Sequence, residues 1–101
     1  MPEAASGVRP AALVTGGAQR IGRAIALALA RGGYAVAVQA RRSRAEADRL
    51  VGEIAAGGRA ATLEADLADH AAVLRLVPAA VAAIGPLTLL VNNAAEFEPD
   101  E

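Results

Sequence analysis

Two adjacent glycines, Gly16 and Gly17, follow a short apolar run and form the part of this sequence best suited to chemistry. The run at 11–14 has the composition of a buried strand, and from residue 21 onward apolar residues recur at the helical period. A strand, a glycine turn and a helix in succession aim the free N–H groups of the helix N-terminus at an anion. Glycine suits such a turn because a phosphate approaches the backbone closely and because the turn can require positive φ. The stretch therefore predicts a site for a phosphate-bearing ligand, and a nucleotide is the first candidate.

Two well-known phosphate-loop patterns fit this stretch poorly. The Rossmann pattern G-x-G-x-x-G does not match the spacing of Gly16, Gly17 and Gly22. The P-loop pattern G-x-x-x-x-G-K-[ST] fits from Gly17 to Gly22 and then fails at its two chemical positions. Arg23 replaces the lysine, and Ala24 replaces the hydroxyl residue that binds magnesium. A P-loop-type nucleotidase is therefore the weakest of the nucleotide hypotheses.

A third pattern, T-G-x-x-x-G-x-G, is matched better. Thr15, Gly16 and Gly22 occupy three of its positions, and Arg20 stands in place of its middle glycine. The plainer alternative is a tight strand-to-helix connection that binds nothing, since a local cluster of glycines is weak evidence by itself.

The end of the second predicted strand is basic. Seven of the ten basic residues, all Arg, lie in residues 1–45, and no acid occurs between Glu3 and Glu46. Arg41, Arg42 and Ser43 stand together there. In dinucleotide folds an acid near this point binds the ribose hydroxyls, whereas Arg accommodates a 2′-phosphate. The contrast favours NADP(H) over NAD(H); the alternative is that these Arg side chains only solvate the start of the next helix.

Polar residues also follow the third and fourth predicted strands, as Asp66-Leu67 and Asn92-Asn93. An Asn amide both donates and accepts hydrogen bonds, so the Asn pair can join neighbouring strand ends or contact a ligand. Taken alone, the dipeptide is more typical of a plain turn.

The chain alternates predicted strands and helices in the order βαβαβαβ. Strands are expected at about 11–15, 34–39, 59–65 and 87–91, and helices at about 20–31, from Ser43 to Gly57, and from Asp69 to Ile84. This order predicts an α/β fold, a Rossmann-type doubly wound parallel sheet with strand order 3-2-1-4, and ligands at the carboxyl ends of its strands. We expect residues 1–10 to be a flexible tail and residues 11–101 to be the N-terminal part of a single dinucleotide-binding domain.

The helices carry more detailed predictions. Ser43 and Glu46 have the spacing of a capping box, and Asp69 is a good N-cap for the third helix. That helix should also be kinked, or lose a backbone hydrogen bond, at Pro78. Its predicted inward residues are Val73, Leu76, Val77, Ala80, Val81 and Ile84.

Composition excludes several classes of protein. Hydrophobic residues make up 54% of the chain, which indicates a globular fold, and the absence of Cys excludes disulfides and thiolate metal sites. Aromatic residues make up 2%, too few for the usual nucleic-acid surface. The sequence has no apolar run of transmembrane length and no signal-peptide pattern, so we expect no membrane partner and a cytoplasmic location.

Taken together, the motifs resemble the short-chain dehydrogenase/reductase family. They are Thr15-Gly16-x-x-x-Arg20-x-Gly22, Asp66-Leu67 and Asn92-Asn93-Ala94, in this order and spacing. Arg20, the Arg42-Ser43 pair and the run Asn92–Phe97 resemble the pteridine-reductase branch. The resemblance implies NADP(H) as cofactor, bound by Gly16, Arg20, Ile21, Gly22, Arg41, Arg42, Ser43, Asp66, Leu67, Asn92, Asn93 and Ala94.

The resemblance also implies roles for individual residues. Arg20 would reach the cofactor phosphates, Arg42 and Ser43 the 2′-phosphate, and Asp66 the adenine. Phe97 would stack a planar substrate over the cofactor, whereas Ala95 departs from the Ser that contacts substrate in pteridine reductases. A small planar or carbonyl substrate and a homo-oligomeric parent are therefore expected.

The family's catalytic Ser, Tyr and Lys are not matched in these residues. The sequence has no Lys, and its one Tyr, Tyr34, opens a predicted strand; His70 is expected to be a surface residue. We expect the chain to be the cofactor-binding half of an NADPH-dependent reductase that reduces a carbonyl or imine by hydride transfer, and to be inactive alone. The alternative is a non-catalytic dinucleotide-binding module.

Overall fold

The computed structural model describes residues 10–18, 20–56 and 58–93. The predicted order of elements is confirmed, with shifts of one or two residues at some ends, and Tyr34 lies just before its predicted strand. None of the helices in these ranges is both long and apolar enough to span a bilayer. The elements are β1 (Ala11–Thr15), α1 (Arg20–Arg31), β2 (Ala35–Ala40), α2 (Arg44–Ala55), β3 (Ala60–Glu64), α3 (His70–Ile84) and β4 (Leu89–Asn92).

The four strands form one parallel sheet in the order β3-β2-β1-β4, as predicted. β1 is an inner strand and pairs with β2 from Ala11↔Ala35 and with β4 from Ala12↔Leu89. β2 pairs on its other side with β3. Because all four strands run the same way, their carboxyl ends meet at a single edge, where ligands bind in such sheets.

Apolar residues form one cluster on each face of the sheet. The first cluster joins α1 and α2 to the sheet, and its buried members include Val14, Ala26, Val36, Val38, Ala47, Leu50 and Ile54. The second joins α3 to the opposite face, and its buried members include Ala11, Leu13, Ala35, Ala37, Leu76, Ala80 and Ile84. The division follows from the alternation of side chains along each strand.

The predicted inward face of α3 is only half confirmed. Leu76, Ala80 and Ile84 are buried. The prediction that three valines also point inward is wrong, because they are more than a third exposed: Val73, Val77 and Val81. α3 contacts β1, β2 and β3, and no other helix packs against it among the described residues, so a broad apolar face cannot all be covered.

The predicted helix ends also had mixed outcomes. Asp69 caps α3, and its Oδ1 accepts from the N–H groups of Ala71 and Ala72 at 3.0 and 3.4 Å. The predicted capping box of α2 is wrong, since the Ser43 side chain makes no cap hydrogen bond. Its backbone, at φ −93° and ψ 44°, lies outside the extended region usual for an N-cap. Pro78 lacks an N–H and so removes one backbone hydrogen bond, but α3 continues past it to Ile84.

Candidate functional site

The glycine turn after β1 is so tight that Gly22 has no space for a side chain. A Cβ placed on Gly22 would lie 2.1 Å from the carbonyl oxygen of Gly16 and 2.7 Å from Asn93 Nδ2. Gly16 itself has φ 64°, a left-handed conformation that glycine adopts without strain. The N-terminus of α1 therefore sits directly against the end of β1. This is the close backbone approach that the sequence pattern predicts.

Arg20, the first residue of α1, also has a left-handed backbone, with φ 52°. It occupies the position of the motif's middle glycine, and the left-handed conformation explains why glycine is favoured there. A non-glycine residue in the left-handed region of φ and ψ carries strain of about 1 kcal/mol or more. Residues strained in this way are found most often at functional positions. The exposed guanidinium of Arg20 has no ion-pair partner within the described residues, so it is free to meet a ligand.

A hydrogen-bond network joins the ends of β1 and β4. Thr15 Oγ1 accepts from the Asn93 N–H at 3.0 Å and lies 3.3 Å from both the Val91 carbonyl oxygen and Asn92 Oδ1. Asn93 Nδ2 donates to the Gly16 carbonyl oxygen at 3.1 Å. The two asparagines thus join neighbouring strand ends, one of the two roles proposed for them from sequence.

Gln39, near the end of β2, is a residue that sequence reasoning missed. It is buried, and its side chain contacts both neighbouring strand ends. Its Oε1 accepts from the Gly16 N–H at 2.8 Å, and its Nε2 donates to the Ala65 carbonyl oxygen at 2.7 Å. The signal that could have found it is an amide in the otherwise apolar strand AVAVQA.

The three Arg side chains between the end of β2 and the first residue of α2 differ in their partners. Arg41 pairs with Asp66 at 3.4 Å. Arg44 pairs with Asp48 at 3.2 Å and with Glu64 at 2.9 Å, and the hydrogen bond to Asp48 in particular raises the pKa of Arg44. Arg42 is exposed and has no carboxylate partner among residues 10–18, 20–56 and 58–93.

An open cleft of about 490 Å³ lies between the glycine turn and α2. Its lining includes Arg20, Arg49 and Glu46. Arg23, also on its wall, is held by Glu53, whose two carboxylate oxygens both lie 3.0 Å from Arg23 Nη2. Arg23 is therefore engaged within the protein, and this adds to the sequence argument against a P-loop.

The remaining predicted site residues fall in different surroundings. Ile21 is largely exposed beside the glycine turn, and Ser43 is half-buried with its hydroxyl not used for capping. Leu67 packs against the cluster beneath α3. Ala94, Ala95 and Phe97 lie outside the described residues.

The two side chains judged unsuitable for catalysis lie in ordinary structural positions. Tyr34 is half-buried, precedes β2 and packs against the cluster beneath α1 and α2. His70 is exposed at the start of α3. Across the residues that the structure describes, no three metal-ligating side chains come together.

Comparison with known proteins decides the family. The family model for short chain dehydrogenases matches residues 10–100. The chain belongs to this family. The family that the sequence motifs resemble is thus confirmed, and so is its parallel α/β sheet.

Individual members are similar over most of the chain. An uncharacterised oxidoreductase of Methylorubrum extorquens is 47% identical over 88 residues, which are 86% of this chain and 36% of that protein. The short-chain dehydrogenase/reductase homologue YusS of Bacillus subtilis is 43% identical over 82% of this chain and 77% of its own length. FolM alternative dihydrofolate reductase 1 from Brucella canis, solved with NADP, superposes with a TM-score of 0.80 and 45% identity, over 84% of this chain and 34% of that one. The chain therefore spans about a third of the length of two of these relatives and most of the third.

Proposed function

We propose that this chain forms the NADP(H)-binding half of a short-chain reductase, which reduces a carbonyl or imine by hydride transfer. The observation that carries the proposal is which of the Arg side chains after β2 are paired with acids and which is not. Arg41 and Arg44 are each paired with acids, whereas Arg42 presents its guanidinium to solvent beside the unused hydroxyl of Ser43. A 2′-phosphate bound there would contact the Arg42 guanidinium as a cation and the Ser43 hydroxyl as a hydrogen-bond donor, with no acid between them.

The glycine turn fits the rest of a dinucleotide. Gly22 leaves no side chain between the helix N-terminus and the Gly16 backbone, so a pyrophosphate can approach the free N–H groups of α1. Arg20 adds a cation beside them. When bound, the nicotinamide ring would supply the hydride; the residues described above bind and orient the cofactor.

The solved relative supports the choice of cofactor and indicates a class of substrate. The FolM alternative dihydrofolate reductase superposes on this chain and was solved with NADP. We therefore propose a small planar or carbonyl substrate, with Ala95 and Phe97 on the substrate side. A homo-oligomeric assembly and a cytoplasmic location complete the proposal, since this is the usual setting of such reductases.

The test compares dissociation constants for NADPH and NADH in the unmodified protein and in Arg42→Ala. We expect the unmodified protein to prefer NADPH and the variant to lose about ten- to a hundredfold of that preference, because a charged bidentate contact contributes roughly 1.5–3 kcal/mol. NADH affinity should stay unchanged. Arg75→Ala, on the opposite face of the sheet, is the control for the loss of one positive charge. Equal affinities for the two cofactors in the unmodified protein would contradict the proposal.

A non-catalytic dinucleotide-binding protein is the second candidate, and it rests on the residue types present in these 101 residues. The 101 residues hold one Tyr and no Lys, so the proton donors expected of the family are not matched in them. Both candidates expect no turnover of carbonyl compounds with NADPH by the 101 residues alone. They differ when these residues are joined to sequence carrying the family's Ser, Tyr and Lys, where only the reductase gains turnover. Turnover by the 101 residues that is lost in Tyr34→Phe or His70→Ala would contradict both.

A further inference from the structure

We infer that Gln39 is a positioning residue for the dinucleotide site: its side-chain amide fixes the glycine turn relative to the end of β3. The inference rests on the proposed function and deepens it, because it concerns how the site is held in shape. Gln39 does not touch the expected ligand; it acts through Gly16 and Ala65.

The contacts of Gln39 span three strands. Its backbone carbonyl oxygen accepts from the N–H groups of Gly16 and Gly17 at 3.0 and 3.3 Å. Its side-chain Oε1 accepts from the same Gly16 N–H at 2.8 Å, and Nε2 donates to the Ala65 carbonyl oxygen at 2.7 Å. One residue therefore holds the first two residues of the glycine turn and, from the opposite side, the exit of β3.

Both ends of this bridge lead directly into proposed cofactor-binding residues. Gly16 begins the turn in its left-handed conformation. Ala65 is held at both its polar backbone groups, since its N–H also donates to the Ala40 carbonyl oxygen at 3.2 Å. The next residue is Asp66, which pairs with Arg41. A shift of Ala65 would therefore move the Asp66–Arg41 pair relative to the glycine turn.

The chemistry of the bridge requires a primary amide of this length. One neighbour is an N–H donor and the other is a carbonyl acceptor, so the bridging side chain must both accept and donate. Gln39 is 3% exposed, and water cannot readily replace either bond. Met has nearly the same length and shape but can make neither bond, and an ionised Glu can make only the accepting one.

Gln39→Met is the first variant. We expect dissociation constants for NADPH and NADH to rise by a similar factor, about tenfold, because both cofactors use the same turn. In this variant the Ala65 carbonyl oxygen loses its side-chain donor, and the Gly16 N–H keeps only the Gln39 backbone carbonyl oxygen as acceptor. Loss of affinity for both cofactors separates this effect from that of Arg42→Ala, which should affect NADPH alone.

The matched control is Thr88→Val. Thr88 Oγ1 also joins two strands, accepting from the Ala11 N–H at 3.2 Å and donating to the Ala11 carbonyl oxygen at 3.1 Å, but it does so at the amino end of the sheet. A general loss of stability would be common to both variants. Only the Gln39 variant should lose cofactor affinity.

Gln39→Glu supplies a readout that a purely structural role would not move. A protonated Glu can donate to Ala65 and accept from Gly16, whereas an ionised Glu faces the Ala65 carbonyl oxygen with a second acceptor. Burial raises the pKa of such a carboxyl. We therefore expect the affinity of the variant for both cofactors to recover as the pH falls from about 9 to about 6, relative to the unmodified protein at each pH.

Charged groups lie on several elements around this carboxyl. β3 ends at Glu64 and is followed by Asp66, which pair with Arg44 and Arg41, whereas residues 10–18 carry no titratable side chain. Gln39 alternates onto the same strand face as Ala37, which α3 covers, and the charged or titratable residues of that helix and its cap are Asp69, His70 and Arg75. On the other face, the cleft beside the glycine turn is lined by Arg20, Arg23, Glu46, Arg49 and Glu53. The unmodified protein contains all of these groups, so its own pH profile corrects for their titration.

The outcomes separate the inference from the proposed function. If the unmodified protein binds neither cofactor, the proposed function fails. If it binds NADPH and Gln39→Met binds both cofactors equally well, the inference alone is overturned. If Gln39→Met does not fold, Gln39→Glu decides: recovery at low pH supports the inference, and an affinity that follows the unmodified protein at every pH overturns it.

Discussion

The two faces of the sheet are built from the same four strands but are covered very differently. On one face α1 and α2 pack side by side over Val14, Val36 and Val38, which are fully buried. On the other face, α3 is the single covering helix among the described residues, and it lies over Ala11, Leu13 and Ala35. Leu90 of β4 belongs to this second face, as the partner of Leu13, and is 57% exposed.

The difference shows that burial depends on neighbours more than on hydrophobicity. α3 is the more apolar helix, yet a single helix about 10 Å across cannot cover a four-stranded sheet on its own. The glycine turn and the start of α2 lie at the carboxyl edge of the sheet, and Val14 and Ala18 at this turn belong to the buried cluster of the well-covered face.

The largest expected effect comes from Gly22→Ala, where the well-covered face meets the glycine turn. A Cβ 2.1 Å from the Gly16 carbonyl oxygen is impossible without moving backbone, so we expect cofactor binding to be abolished and the protein to be destabilised by about 3 kcal/mol or more. The measurements are a cofactor titration and chemical denaturation.

Gly52→Ala is the matched control, since no atom lies within 4 Å of a Cβ placed there in α2. This substitution should stabilise the protein by about 0.5–1 kcal/mol, because Ala favours the helix over Gly. A Gly22→Ala protein with unchanged stability and affinity would show that the close contact is not needed.

The second prediction compares the two faces directly. Leu50 of α2 is fully buried and Val77 of α3 is 45% exposed. Leu50→Ala should lower the free energy of unfolding by about 2–5 kcal/mol, through lost burial and the cavity left behind. Val77→Ala should change it by less than about 0.5 kcal/mol. Urea denaturation of both variants gives the two values, and similar losses would mean that the α3 face is covered in solution.

The smallest effect is expected from the Arg23–Glu53 pair, which joins α1 to α2 on the well-covered face. Both side chains are more than a third exposed, so a double-mutant cycle with Arg23→Ala and Glu53→Ala should give a coupling of about 0.2–1 kcal/mol. Added salt should reduce the coupling, since exposed charges are screened. A coupling that is larger and insensitive to salt would mean that the pair is shielded from solvent.

The strand and helix pattern was predictable because it rests on local features. Alternating apolar strands, helical periods and glycine ends led to the element order, and the general rules for parallel sheets then led to the strand order 3-2-1-4. The sequence motifs also led to the glycine turn and to the family. Gly16 and Gly22 could be recognised because their requirement, a backbone without a side chain, is a property of the residue itself.

Which groups meet across strands depends on the assembled fold. The pairing of Arg41 depends on Asp66, 25 positions further along the chain. The exposure of Val77 depends on there being no second helix beside α3 in the described structure. Gln39 is the clearest case. Its sequence neighbours indicate an ordinary strand, and its role follows from Gly16 and Ala65, which parallel pairing places on either side of it. Sequence determined the elements through local propensity, whereas the partners of polar side chains depend on distances that exist only once the strands are assembled.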